Sequence, residues 1–139
     1  AVIPTIITQA LTQSVIRMGN LKATRDFTYI DDTVDGFVKA AETPDVEGMT
    51  MNLGTGSEIN IGVLVDKIIN LTGSLAHIEV DVDRLRPIDS EVQRLLSNNT
   101  LACTTLGWVP HTSLEDGLER TIDWIKEHLH LYRIGTYEF

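Results

Sequence analysis

Residues 49–73 read MTMNLGTGSEINIGVLVDKIINLTG, and the fold turns on how Gly54 and Gly56 are understood. A β-prone run, 49–54, enters Gly-x-Gly, and a helical pattern follows. Strand, glycine turn and helix in that order are the parts of a dinucleotide-binding loop. Such a loop needs a third glycine, where helix and strand close on each other. Ile59 stands at that place. Gly54 and Gly56 therefore read as a tight strand-to-helix turn. Asn60 is placed to cap the helix over IGVLVDKIINLTG, and Gly73 to end it. No Gly-Lys-Ser/Thr occurs in the chain, which removes a P-loop as well.

Working outward, IPTIITQALTQ (3–13) has helical spacing, with Pro4 in its first turn. SVIRMG (14–19) predicts a short strand ended by Gly19, and FTYI (27–30) another. Asp31 or Asp32 is expected to cap the next helix, whose apolar residues are Val34, Phe37, Val38 and Ala41. TPDVEG (43–48) is a loop. HIEVDV (77–82) alternates like a half-exposed strand, and RLRPIDSEVQ (84–93) reads as a loop around Pro87. NNTLACTTLGW (98–108) predicts a short helix closed by Gly107. SLEDGLERTIDWIKEHL (113–129) has the fullest helical stripe: Leu114, Leu118, Ile122, Ile125 and Leu129. Ser113 and Asp116 stand at capping-box spacing before it. The expected class is α/β, helix-rich with a small mixed sheet, as a single domain over residues 1–139.

The chain of 139 residues is 42% apolar and 22% charged, ordinary for a globular domain with a real core. Its net charge of −9 argues against nucleic acid or an anionic membrane surface as partner. The arginines are spread along the chain, so those that meet in space can still form a local anion site. The single cysteine, Cys103, excludes an internal disulfide and suits a reducing cytoplasm. No apolar run approaches the roughly 18 residues of a membrane span, and no basic-then-apolar leader opens the chain. The start at AVIPTII, without methionine, reads as a fragment boundary.

His77, His111, His128 and His130 form no metal-ligand spacing with Cys103. No G-x-S-x-G elbow is present. Cys103, within LACTTL, reads as a small core residue. Trp108 and Trp124 read as core or domain-contact residues. Asp31 and Asp32 resemble paired catalytic carboxylates, but their place at a helix start favours capping. Arg25 precedes a strand, and Arg86 lies in a loop before the rigid Pro87. Taken singly, each is an ordinary solvated or ion-paired side chain. Taken together, two arginines in separate loops suit a diphosphate clamp, since guanidinium forks match phosphate oxygens. The residue types leave both readings open.

Four stretches, taken in order, resemble the C-terminal part of the extended short-chain dehydrogenases/reductases, the NAD-dependent nucleotide-sugar epimerases and dehydratases. IPTIITQAL is similar to the helix those enzymes set beside the nucleotide. MGNLKATRDFTYIDDTVDGFVKAAE resembles their glycine turn, R-D-(F/W/Y)-x-(Y/H)-(V/I)-x-D and helix. MNLGTGSEINIGVLVDKI resembles their Y-N-(I/L)-G-(S/T)-G turn and the helix after it. RPIDSEVQRLLSNNTLACTTLGWVPHTSLEDGLERTIDWIKE resembles their ending, from R-P-G-D through L-G-W-x-P to (S/T)-L-E-x-G. The resemblance covers nearly the whole chain. Its wording is closest to the 4,6-dehydratases.

The resemblance implies that Arg25 and Arg86 contact the diphosphate of a nucleotide-diphosphate sugar, with Asn52 in the same pocket. It places Met18 and Val2 along the base, and reads Asp26, Asp31 and Asp32 as positioning and capping residues. It further implies an intact homodimeric, cytoplasmic enzyme. There a tyrosine and a lysine of the N-terminal Rossmann half remove the 4-hydroxyl proton as hydride passes to NAD. That half is absent here: no tyrosine has a lysine four places on, Tyr29 being followed by Thr33. RPID lacks the motif's glycine, and SNNTLA replaces Asp-x-Ser-Lys-Ala. The chain by itself is thus expected to bind no NAD and to catalyse nothing. The first helix, apolar on more than one face (Val2, Ile3, Ile6, Ile7, Ala10, Leu11), is expected to expose a patch that the missing half would cover. A second reading is a free-standing, non-catalytic binding or interaction module descended from such a domain. A third is a small α/β protein alike in fold alone.

Overall fold

The computed structural model describes residues 1–85, 87 and 90–132. They form two compact units, one of Ala1–Ala23, Asn60–Val92 and the chain from Leu118, the other of Thr24–Ile59 and Gln93–Gly117.

In the first unit, α1 (Val2–Thr12) leads to β1 (Val15–Met18), and α3 (Ile61–Thr72) to β4 (His77–Val80). The strands β1 and β4 pair in parallel, with Val15 opposite His77 and Met18 opposite Val80. Helix α1 buries Ile6, Ile7 and Ala10, β1 buries Ile16 and Met18, and α3 buries Leu64, Val65 and Ile68. Gln9 is buried among them and fully used: its Oε1 accepts the Arg17 N–H at 2.9 Å, and its Nε2 donates to Thr5 O at 3.1 Å. A buried amide with partners at both ends ties α1 to β1 without a desolvation penalty. Asn60 caps α3, accepting N–H groups from Gly62 and Val63, and Gly73 ends it in the left-handed conformation at φ 67°. From Leu118 on, α5 (Leu114–Glu127) belongs to this unit and buries Leu118, Ile122 and Ile125.

The second unit is built on β2 (Thr24–Arg25), which pairs in parallel with β5 (Arg94–Leu95) in a three-stranded sheet ordered β3-β2-β5, where β3 is Ile59–Asn60. Helix α2 spans Ile30–Glu42 and α4 spans Thr100–Leu106. Gly107, at φ 62°, closes α4, and its N–H and that of Trp108 both return to Ala102 O. The left-handed residue ends the helix, and Trp108 follows it directly. It is fully buried beside Ala102 and Leu106, with Ala40, Val46, Met51 and Leu53 packed on the cluster. Its indole N–H donates to Asp32 O at 2.8 Å.

Several expectations need correction. The strand lies at Thr24–Arg25, not at 27–30. The ladder ends where the Asp26 N–H meets Leu95 O at 2.9 Å, and beyond it the chain turns into α2. Neither Asp31 nor Asp32 caps α2: Tyr29 holds the cap position without a side-chain bond, and both aspartates lie in the first turn. Run 49–54 is assigned no strand, and the stretch after the 84–93 loop hides β5. Cys103 is half-buried, and Trp124 is half-exposed, stacked on His128 at 4.3 Å between centroids. The first helix is not the exposed apolar element, since Ile6, Ile7 and Ala10 are buried in their own unit. Helix α2 carries the exposed apolar residues Val34, Phe37 and Val38.

Asp32 is 5% exposed, and its carboxylate accepts the N–H groups of His111 and Thr112, both at 3.0 Å. Burial pushes this carboxyl up, but the N–H donors of His111 and Thr112 and the Thr112 hydroxyl outweigh it and hold the pKa below the ordinary range. Asp32→Asn should cost about 1.5–3 kcal/mol, because one of the two N–H donors then faces an amide NH2. A carboxyl with a depressed folded pKa stabilises fully above its unfolded value of about 4, and loses that contribution as pH falls through the folded value. Urea titrations should therefore show the difference between wild type and Asp32→Asn constant near neutrality and shrinking below about pH 4.

Candidate functional site

In the second unit, the Arg-Asp pair at the end of β2 is where the glycine turn is held. The Asp26 Oδ1 accepts the Thr55 N–H at 3.0 Å and the Thr55 hydroxyl at 2.5 Å. Its Oδ2 accepts the Gly56 N–H at 2.9 Å and the Ser97 N–H at 3.3 Å. Asn99 Nδ2 closes the arrangement by donating to Gly54 O at 2.7 Å. One carboxylate thus joins β2, the turn and the chain after β5.

This geometry explains both glycines, for different reasons. Gly56 has φ 73°, a left-handed conformation suited to a residue without Cβ. Gly54 is needed for space: a Cβ there would lie 2.2 Å from Ser97 Cβ and 3.0 Å from Asp26 Oδ2. The N–H groups of Thr55 and Gly56, which a phosphate cradle would require, are taken by Asp26. The turn is organised around an internal anion and does not fit a dinucleotide.

Arg25 is half-buried on β2 and donates from Nη1 to Thr24 O at 2.7 Å. Beside it, Glu58 accepts the Thr24 hydroxyl at 2.6 Å and pairs with Arg94 at 2.7 Å. Hydrogen bonds from Arg94 and from Thr24 hold the Glu58 carboxyl below its usual range. Asn52 is exposed, with Nδ2 reaching Asn98 O at 3.4 Å. The structure places Arg25 and Asn52 in this unit.

Val2 and Met18 belong to the first unit. Val2 is half-buried in the first turn of α1. Met18 is buried on the same side of β1 as Ile16, and its carbonyl accepts the Asp81 N–H at 2.7 Å. The end of β1 is further locked by Arg84, which bonds Asp81 Oδ2 at 3.0 Å and Arg17 O at 2.9 Å. Gly19 fits there because a Cβ would lie 2.5 Å from Arg84 O. Arg86 lies outside the described residues.

Sequence reading missed Ser97, Thr55 and the Glu58–Arg94 pair as partners, because each is joined to β2 across long stretches of chain. The only local signal was the acid directly after Arg25. Among the described residues, no group of three or more His, Cys, Asp or Glu could hold a metal ion.

If Gly54 is kept small by Ser97, Gly54→Ala should cost about 1–3 kcal/mol. Ser97→Gly in the same chain should recover much of that loss. A double-mutant cycle in urea would show the coupling, and strict additivity would refute the contact.

Comparison with known proteins extends this picture. The family model described as GDP-mannose 4,6 dehydratase matches residues 1–121. The UDP-glucose 4-epimerase of Mycolicibacterium smegmatis is 32% identical over 108 residues, 78% of this chain and 33% of that protein. GDP-L-fucose synthase 1 of Arabidopsis thaliana is 31% identical over 116 residues, 81% of this chain and 33% of that protein. The UDP-glucuronic acid 4-epimerase of Bacillus cereus, solved with UDP-glucuronic acid and NAD, superposes with a TM-score of 0.82 at 30% identity, covering 95% of this chain and 40% of that one. The chain spans about a third of the length of the curated relatives it matches. It belongs to the nucleotide-sugar epimerase/dehydratase family of extended short-chain dehydrogenases/reductases, and corresponds to the C-terminal region of those enzymes.

Proposed function

We propose that this chain is the nucleotide-sugar-binding portion of an NAD-dependent 4,6-dehydratase or epimerase, and that it holds the diphosphate and base of a nucleotide-diphosphate hexose. The observation that carries this reading is Arg25: the R-D motif sets a guanidinium at the end of β2, directly before Asp26, whose carboxylate holds the N–H groups of Thr55, Gly56 and Ser97. A preorganised guanidinium loses little freedom on gripping phosphate oxygens. The family resemblance assigns Arg86 the same role, puts Asn52 in the same pocket and sets Val2 and Met18 along the base.

The work of these residues is binding and orientation. NAD, held by a Rossmann half outside this chain, supplies hydride acceptance from the sugar. The turn at Gly54–Gly56 does not fit that cofactor, so the chain by itself is inactive. The 4,6-dehydratase assignment rests on the wording of the GNLxxxRD and RPxxSEVxRL stretches. The intact enzyme is assigned to the cytoplasm as a homodimer. Among the described residues, no helix is long and apolar enough to cross a membrane.

In a full-length enzyme carrying this sequence, Arg25→Ala should weaken nucleotide-sugar binding roughly ten- to a hundredfold, the equivalent of one charge-assisted contact of about 1.5–3 kcal/mol. Arg25→Lys should recover only part of it, and Arg86→Ala should behave like Arg25→Ala. NAD affinity should stay unchanged in all three, as read by calorimetry. Equal nucleotide-sugar affinity in wild type and Arg25→Ala would refute the clamp. In the 139-residue chain, titration with NAD should show no saturable binding in the micromolar range; a micromolar site would overturn the structural reading of the glycine turn.

A further inference from the structure

The Asn60 side chain does more than cap α3. Its Oδ1 accepts the N–H groups of Gly62 at 2.9 Å and Val63 at 3.3 Å, which is the cap itself. Its Nδ2 donates to Lys22 O at 3.0 Å, far back in the chain but in the same unit. The residues that follow Asn60 act on the same loop: the Ile61 N–H donates to Ala23 O at 2.9 Å, and the Gly62 N–H to Leu21 O at 3.0 Å. Three successive carbonyls, those of Leu21, Lys22 and Ala23, are thus held by Asn60 and the first turn of α3. N–H groups at a helix start are ordinarily left for water or an anion. Here two of them are taken up by a loop.

Gly62 leaves room for both bonds of its N–H, since a Cβ there would lie 3.1 Å from Asn60 Oδ1 and 3.5 Å from Leu21 O. The loop is also fixed at its start, where Gly19 lies against Arg84 O and the Asn20 Oδ1 accepts the Lys22 N–H at 2.9 Å. It begins directly after Met18 and ends directly before β2, the strand of Arg25. With its carbonyls turned to α3, one donor is left over. Among the described residues, the N–H of the half-buried Leu21 makes no hydrogen bond.

Serine or aspartate would cap α3 about as well as asparagine does. The cap therefore accounts for an oxygen at position 60 and not for the NH2 group beside it. We propose that Asn60 is a positioning residue for the nucleotide-diphosphate sugar: its NH2 group holds the Leu21–Ala23 loop in the conformation that presents the Leu21 N–H to an oxygen of the ligand. A loop already held in its bound conformation loses less freedom on binding than one the ligand must order. The proposal rests on the reading above that this chain holds such a sugar, with Met18 along the base.

The test uses a full-length enzyme carrying this sequence, with NAD and whichever of UDP-glucose, GDP-mannose and dTDP-glucose it binds most tightly. Asn60→Asp keeps the capping oxygen at equal length and removes the NH2 donor; Asn60→Ser does so without adding charge. Both variants should keep the melting temperature and NAD affinity of the wild type. Both should weaken binding of the sugar probe about three- to tenfold, the equivalent of one neutral hydrogen bond. Hydrogen–deuterium exchange supplies the second reading. The probe should slow the Leu21 amide in the wild type and do so less in either variant, while Ile61 and Gly62 exchange faster in both variants without ligand. Unchanged probe affinity in the two variants, or a Leu21 amide that the bound probe does not slow, would overturn the proposal and leave the functional reading standing. Weakening by aspartate but not serine would assign the effect to charge and overturn it too, as would a lowered melting temperature in both. A wild type that binds none of the three probes at micromolar concentration sinks the functional reading, and the role of Asn60 with it.

Discussion

The Asp26 carboxylate is an anion held by backbone N–H groups, and the second unit is arranged around it. Its acceptors gather Thr55, Gly56 and Ser97, which come from parts of the chain that share no regular element with β2. Charge-assisted bonds of this kind are shorter and stronger than neutral ones. From this follow the lack of a side chain at Gly54, the left-handed Gly56 and the placement of Asn99 against Gly54 O. Arg25 stands directly before this knot, so its backbone is fixed on one side by the ladder to β5 and on the other by its neighbour's carboxylate. A side chain on so determined a backbone has a fixed point of departure.

Asp32 repeats the device in the same unit. A buried carboxylate satisfies the N–H groups of His111 and Thr112, while its own carbonyl receives the Trp108 indole. An aspartate at the start of α2 thereby fixes the chain that follows α4, and seats the largest buried side chain of the unit. The net charge of −9 therefore misdescribes how the acids are used. At least two of them act as internal anions that replace missing ladder partners, and Glu58 is matched to Arg94.

How much of this could be read in advance depended on the distance over which each interaction acts. Helix α3 was legible from Asn60 to Gly73, because a cap and a left-handed stop are made by neighbours in sequence. Helices α1, α4 and α5 were legible from their apolar spacing, with Gly107 marking the end of α4 and Ser113 the start of α5. Strands of two residues were not. Thr24–Arg25 and Arg94–Leu95 carry no alternation that a window could detect, and exist only because they lie beside each other. The apolar stripe of α2 was read correctly as a stripe, but periodicity marks a face without saying what covers it.

The candidate site divides in the same way. The ordered motifs identified the family and named Arg25 and Asn52, since motif spacing is a property of the chain alone. What only the tertiary structure decided is why Arg25 is followed by an aspartate and why Gly54 must be a glycine. Both depend on Ser97, whose N–H reaches Asp26 and whose Cβ occupies the space that a side chain at Gly54 would need. Local propensity acts over a few residues, whereas a carboxylate with several acceptor positions can be satisfied from any part of the chain that folding brings within 3 Å or so.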